Sequence, residues 1–137
     1  MCLCAAKVNS KRLKWKEDEN GEQYIDAWKV MRKSNGRLES IVYWRQSGSI
    51  ISSGEYISDR ESKKLNTEER RKSIVEHGIY VFLSRSYARS WSKNYESTFR
   101  VKCYRKDFIA SNIDAQEAVF MKVTITSRTW SNLFGKQ

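Results

Sequence analysis

Proline is absent from this chain, and glycine occurs only six times in 137 residues. Flexible linkers and low-complexity segments are built from those residues, so their scarcity excludes both and leaves no expected domain boundary or internal repeat. Histidine occurs once, at His77, and cysteine three times, at Cys2, Cys4 and Cys103. An odd set of cysteines without a framework of spacings reads as reduced thiols in a reducing compartment. No apolar run approaches the roughly 20 residues that cross a bilayer. The start, "MCLCAAKVNSKR", places its basic cluster after a few apolar residues, the reverse of a secretory leader. The expectation is a cytoplasmic protein without a membrane partner.

What is present suffices for a packed core. Apolar residues make up 39% of the chain and aromatics 12%, including five tryptophans, a richness that disordered chains lack because they have little to bury. One domain spanning 1–137 is expected, with a basic N-terminal arm over about 1–20.

The net charge is +10, and its placement is more telling than its size. Residues 1–16 hold five bases and no acid, and residues 17–26 hold five acids and no base, so these blocks cancel. Residues 77–137 hold ten bases against four acids. An electropositive C-terminal half favours an anionic partner, whether nucleic acid, a nucleotide or an acidic protein surface.

The patterning implies an α+β fold, a mostly antiparallel sheet of five or six strands with two short helices. "IDAWKVMRK" (25–33) alternates as a strand, "SNGR" (34–37) suits a tight turn, and "LESIVYW" (38–44) returns as its hairpin partner. "QSGSIISSGEYIS" (46–58) reads as a turn, a short strand around Ile50 and Ile51, and another turn. "LNTEERRKSIVEHG" (65–78) has a hydroxyl cap, acids in its first turn and an exit glycine, the signature of a short helix. "IYVFL" (79–83) is apolar on both faces, as in a central strand. Ser84 then caps a helix to about Asn94, with Tyr87, Ala88, Trp91 and Tyr95 on one side and Arg85, Arg89 and Lys93 on the other.

"STFRVKCYRK" (97–106) alternates Phe99, Val101 and Cys103 against Arg100, Lys102, Tyr104 and Lys106. "AVFMKVTIT" (118–126) is expected to bury Val119, Met121, Val123 and Ile125 and to turn Ala118, Phe120 and Lys122 the other way. These last two strands are expected to be neighbours joined by the loop 107–117.

Local motifs for chemistry are sparse. His77 sits beside a glycine at a helix exit, where a capping role is the ordinary explanation. Cys2, Cys4, Cys103 and His77 lack the spacing of a structural zinc site, and the isolated glycines form no phosphate loop. No metal and no cofactor is expected. Nucleic-acid recognition needs cations on one surface and aromatic planes on which bases stack. Two stripes offer this: Arg85, Arg89 and Lys93 on the helix, and Arg100, Lys102, Tyr104 and Lys106 with Lys122 on the strands. The arm residues Lys11, Arg12, Lys14 and Lys16 could add to either.

Two resemblances extend this reading. "GIYVFLS" (78–84), followed by a helix with "YA", resembles the glycine-any-tyrosine strand of ADP-ribosyltransferases. That resemblance implies an enzyme in which Tyr80, with Ser84 or Tyr95, clamps NAD and Glu117 completes the site. Across nearly the whole chain, "MCLC", "WKV" (28–30), "SGEY" (53–56), "GIYVF" (78–82), Ala88 and "VFMKV" (119–123) resemble small accessory proteins of bacteriophages and prophages. This implies the context of a phage accessory protein, many of which act by binding and blocking a host system. Joined to the electropositive half, the expectation is a non-enzymatic binding protein that engages an anionic partner, nucleic acid or a host-defence or nucleoprotein complex, and inhibits by occupying its surface. A third expectation is a sponge for a small nucleotide signal, using the same cations in a pocket.

Overall fold

The computed structural model describes residues 3–4, 13–34, 37–40, 50–53, 56–59, 74–75, 78–91, 96–112 and 116–134. In chain order these form strands β1 (Leu3–Cys4), β2 (Lys16–Glu17), β3 (Gln23–Ser34), β4 (Arg37–Ser40), β5 (Ile50–Ser53), β6 (Tyr56–Asp59), β7 (Ile74–Val75) and β8 (Ile79–Phe82). Helix α1 (Arg85–Trp91), strand β9 (Glu96–Tyr104) and a 3-10 turn (Arg105–Asp107) follow. The chain continues through β10 (Phe108–Asn112), β11 (Glu117–Phe120), β12 (Lys122–Thr124) and helix α2 (Ser127–Phe134). β1 pairs with β7. The remaining strands form one antiparallel sheet in the order β10, β11, β8, β3, β9, β12, β6, β5, with β2 and β4 also on β3. The α+β class, the antiparallel sheet and the presence of two short helices among the described residues stand, and the helix read after Ser84 is one of them. The sheet carries further strands because segments read as turns or loops pair in their own right: β6 begins in the turn read at the end of 46–58, and β10 lies within 107–117.

Strand β3 is the spine. Ile25, Ala27 and Met31 join one large cluster with Ile79, Val81, Phe99, Val101, Cys103, Phe108, Ala118, Phe120, Val123 and Ile125. The alternate residues Trp28 and Val30 pack with Phe82, Tyr87 and Ala88 beneath α1. β3 thus buries one face and, beneath α1, part of the other. Ser34 pairs with Arg37, so two residues separate β3 from β4, as the Asn-Gly reading requires; those two, and 41–49, lie outside the described residues.

Sequence connectivity forces the sheet to curl. Phe120 and Lys122 are separated by Met121 alone, yet β11 and β12 stand four places apart in the strand order. Four flat spacings would put them about 19 Å apart, whereas two residues span about 7 Å. The sheet therefore wraps around the large cluster, and strand 117–124 closes it from both sides. This bend corrects the expected single strand 118–126. Ala118 and Phe120, expected to face away, are 0% exposed and lie in the main core. β12 does pair with β9, Thr124 opposite Lys102.

α1 starts as its cap requires: the Tyr87 amide donates to Ser84 Oγ at 3.4 Å and the Ala88 amide to the Ser84 carbonyl at 3.0 Å. Ser84→Ala is expected to cost about 1 kcal/mol in urea unfolding, and no change in midpoint would remove the cap from this account. The other helix among the described residues is α2, in a segment not read as helical. Thr126 caps it, with the Thr129 amide donating to its Oγ1 at 3.3 Å. Ile74 and Val75, expected at the end of a helix, are extended and pair with Cys4 and Leu3. Residues 65–73 and His77 lie outside the described residues.

Candidate functional site

The strand stripe forms as alternation implies. On β9, Phe99, Val101 and Cys103 are buried, Arg100 is exposed, and Lys102 and Tyr104 are half-buried on the outer face. Thr124 sits opposite Lys102, so Lys122, two residues away on β12, faces the same side. Lys106 lies in the 3-10 turn rather than on the strand, and is exposed.

The acidic block cancels part of this stripe, and it does so across the sheet rather than along the chain. Its center is the β2–β3 turn, where the amides of Asn20 and Glu22 each donate to Asp18 Oδ1 at 2.9 Å and Gly21 takes a positive φ of 78°. This turn meets the end of β9. Lys106 Nζ donates to Glu22 at 3.3 Å, and the Tyr104 hydroxyl donates to Asp18 at 3.3 Å. Lys102 Nζ lies 4.2 Å from the Tyr24 ring center and 5.4 Å from that of Tyr104. Burial works against the Asp18 carboxylate, but the two amides, the Tyr104 hydroxyl and Lys102 outweigh it and hold its pKa below the usual value. For Lys102 burial is likewise outweighed, by Tyr104, Tyr24 and Asp18, and its pKa is raised. A cavity of about 320 Å³ at this corner is lined by Gly21, Glu22, Gln23, Tyr104, Arg105 and Lys106. Its cations are already engaged: Lys106 with Glu22, and Arg105 with Gln23 at 2.8 Å.

The other end of the stripe differs. Arg100 is exposed, pairs across the ladder with Trp28, and has no ion pair among the described residues. Arg85 and Arg89 are exposed on α1, which covers the same outer face through Tyr87 and Ala88. Lys93 and Tyr95 lie outside the described residues, as does the side chain of Trp91. Beside Arg100 lies a groove of about 530 Å³ lined by Leu13, Lys14, Lys16, Ile25, Asp26, Trp28, Leu83, Arg100 and Gln116.

The groove arises where β3 changes partners. β8 pairs with β3 at Trp28 and β2 pairs with it at Tyr24 and Gln23, so residues 25–27 have no ladder partner on that side among the described residues. Leu83 and Gln116 close the far wall, the Leu83 amide donating to the Gln116 carbonyl at 2.8 Å. Gln116 has φ 54°, a left-handed conformation that a non-glycine residue holds only at a cost. Asp26 at the base of the groove is bound by Lys16 at 3.1 Å. With Asp26 bound by Lys16, Lys14 and Arg100 are the cations left without an ion pair among the described residues, in a concavity that Trp28 also lines. Sequence reading had Lys14 and Lys16 as an arm and did not single out Trp28, Asp26 or Gln116. Nothing local marks those three, since the groove exists only where two strands part.

Tyr80 and Glu117 are placed on one face, since Glu117 pairs with Phe82 and Val119 with Tyr80. Tyr80 is 6% exposed and packs with Ile109, Ala110 and Val119, and Glu117 is 7% exposed. Burial raises the Glu117 carboxyl above its ordinary pKa. Neither residue lines the two cavities described above. Cys103 is a buried free thiol, pushed well above the usual range by burial and then by Asp26 and Asp107. Among the described residues no helix is long and apolar enough to cross a membrane. Compared with protein-family models, curated proteins and solved structures, the chain matches none of them.

Proposed function

We propose that this chain is a non-enzymatic binding protein that engages nucleic acid, free or within a nucleoprotein complex, and acts by occupying that partner's surface. One observation carries the reading. Arg85, Arg89 and Arg100 stand exposed without ion pairs among the described residues, on the same side of the sheet as a groove edged by Lys14 and Lys16. At the opposite end Asp18 and Glu22 engage Tyr104 and Lys106, while Asp26 in the groove is bound by Lys16. Separation of charge within one face directs a polyanion to the Arg100 end. The phage-accessory resemblance supplies the context of blocking a host system. The NAD-enzyme reading has less support, because Tyr80 is packed among aliphatic residues.

The triple variant Arg85→Glu, Arg89→Glu, Arg100→Glu is expected to weaken binding of a labelled oligonucleotide at least roughly tenfold and to flatten its salt slope, each lost phosphate contact removing about 0.7 to 0.9. Fluorescence anisotropy between about 50 and 200 mM salt reads both quantities. A wild-type affinity that is flat in salt, or a variant that binds as tightly as wild type, would overturn the proposal.

A further inference from the structure

The groove beside Arg100 is more than a charged patch, because an aromatic side chain, Trp28, contributes to its lining. Trp28 is half-buried, packed against Val30 and Phe82 by α1, and also lines the groove. An indole pinned in this way loses little freedom when a second ring is laid on it. The cations flank it from two segments: Arg100 on β9 directly across the ladder, and Lys14 just ahead of β2, whose Lys16 is bound to Asp26. The volume of about 530 Å³ falls in the range of small-molecule sites. Duplex nucleic acid has its bases stacked and paired, and reaches such a concavity only with its backbone. A single strand can turn one base in.

We infer that this groove receives one unstacked base of a single-stranded nucleic acid, with Trp28 as its stacking plane and Lys14 and Arg100 on the adjoining phosphates. The inference rests on the nucleic-acid reading above and specifies the form of its partner. Stacking on an aromatic side chain is sequence-tolerant, because every base offers a ring face. Preference for strandedness rather than for sequence is therefore expected.

The test uses the full chain and three labelled probes of equal length: a single-stranded oligonucleotide, an abasic deoxyribose-phosphate strand of the same charge, and a duplex. The single strand is expected to bind roughly five- to a hundredfold more tightly than the abasic strand, the range a single stacked base supplies. Trp28→Leu keeps an apolar contact with α1 but lacks a ring, and is expected to abolish that difference; Trp28→Phe restores most of it. Circular dichroism checks the fold of both variants, and the comparison of probes on the wild-type chain stands without either. Equal affinity for the normal and abasic strands overturns the groove inference, as does a difference that survives in folded Trp28→Leu, while salt-sensitive binding of all three probes leaves the nucleic-acid reading intact. Binding of none overturns both.

Discussion

Replacing Lys29 with methionine is expected to stabilise the fold at neutral pH by a net of about 2 kcal/mol, a gain that is lost by pH 10.5. Lys29 lies on the inward face of β3 between Ala27 and Met31, is 4% exposed, and donates one hydrogen bond, from Nζ to the Tyr80 carbonyl at 2.8 Å. Burial pushes its pKa from 10.5 down to about 8. A base whose pKa falls on folding binds its proton more weakly in the native state, so the unfolded chain is favoured wherever it is the more protonated. The penalty is complete below about pH 8 and disappears as pH rises through 10.5. Methionine fills similar volume without the charge. The variant loses the donor to Tyr80, which costs about 1 kcal/mol and trims the gain.

Cys103 acts in the opposite direction. Its thiol is held protonated by burial, so its contribution is present below the ordinary thiol pKa and is lost as pH climbs above it. The difference between wild type and Lys29→Met, followed by chemical denaturation from neutral pH to pH 10.5, largely isolates the lysine. Parallel stability profiles for the two proteins would show that Lys29 does not carry this penalty.

Phe120→Ala is expected to cost about 3 to 5 kcal/mol, a large share of the roughly 5 to 15 kcal/mol that holds a domain together. Phe120 is 0% exposed at the bend where strand 117–124 passes from one side of the curled sheet to the other. Its ring meets Phe108 edge-on at 5.7 Å and Trp15 at 6.3 Å, and those two rings meet each other at 6.0 Å. The Arg105 guanidinium lies 5.5 Å from the Trp15 ring center. Truncation empties the middle of this triangle, which is built from three separate segments and cannot close from one side. Phe120→Leu retains most of the volume and is expected to cost less than about 1.5 kcal/mol. Thermal or urea unfolding measures both. A mild effect of the alanine variant would mean that Phe120 faces outward, as simple alternation along 118–126 implies.

That contrast marks how far the chain could be read without its fold. Where a strand is straight and its neighbours are regular, as on β9, period-two alternation assigned Phe99, Val101 and Cys103 inward and Arg100 outward. Where a residue sets local geometry by its own chemistry, as Ser84 does at the start of α1, it was equally legible. Alternation failed at Met121, because a strand that bends to close a curled sheet changes which face is inside. It also concealed Lys29, which shares a parity with Ile25, Ala27 and Met31 but was not singled out from the sequence.

Composition and order along the chain determined the class of fold, the central strand 79–82, the capped helix and the excess of positive charge toward the C-terminal half. These follow from local propensity and from counting, which need no partner in space. Which cations remain available was decided only by the tertiary structure. It brings the acids of the β2–β3 turn against Tyr104 and Lys106, and it leaves Arg100 beside Trp28 at the gap where β8 parts from β3. Charge pairing and concavity depend on distances between segments remote in sequence, and packing of the sheet sets those distances.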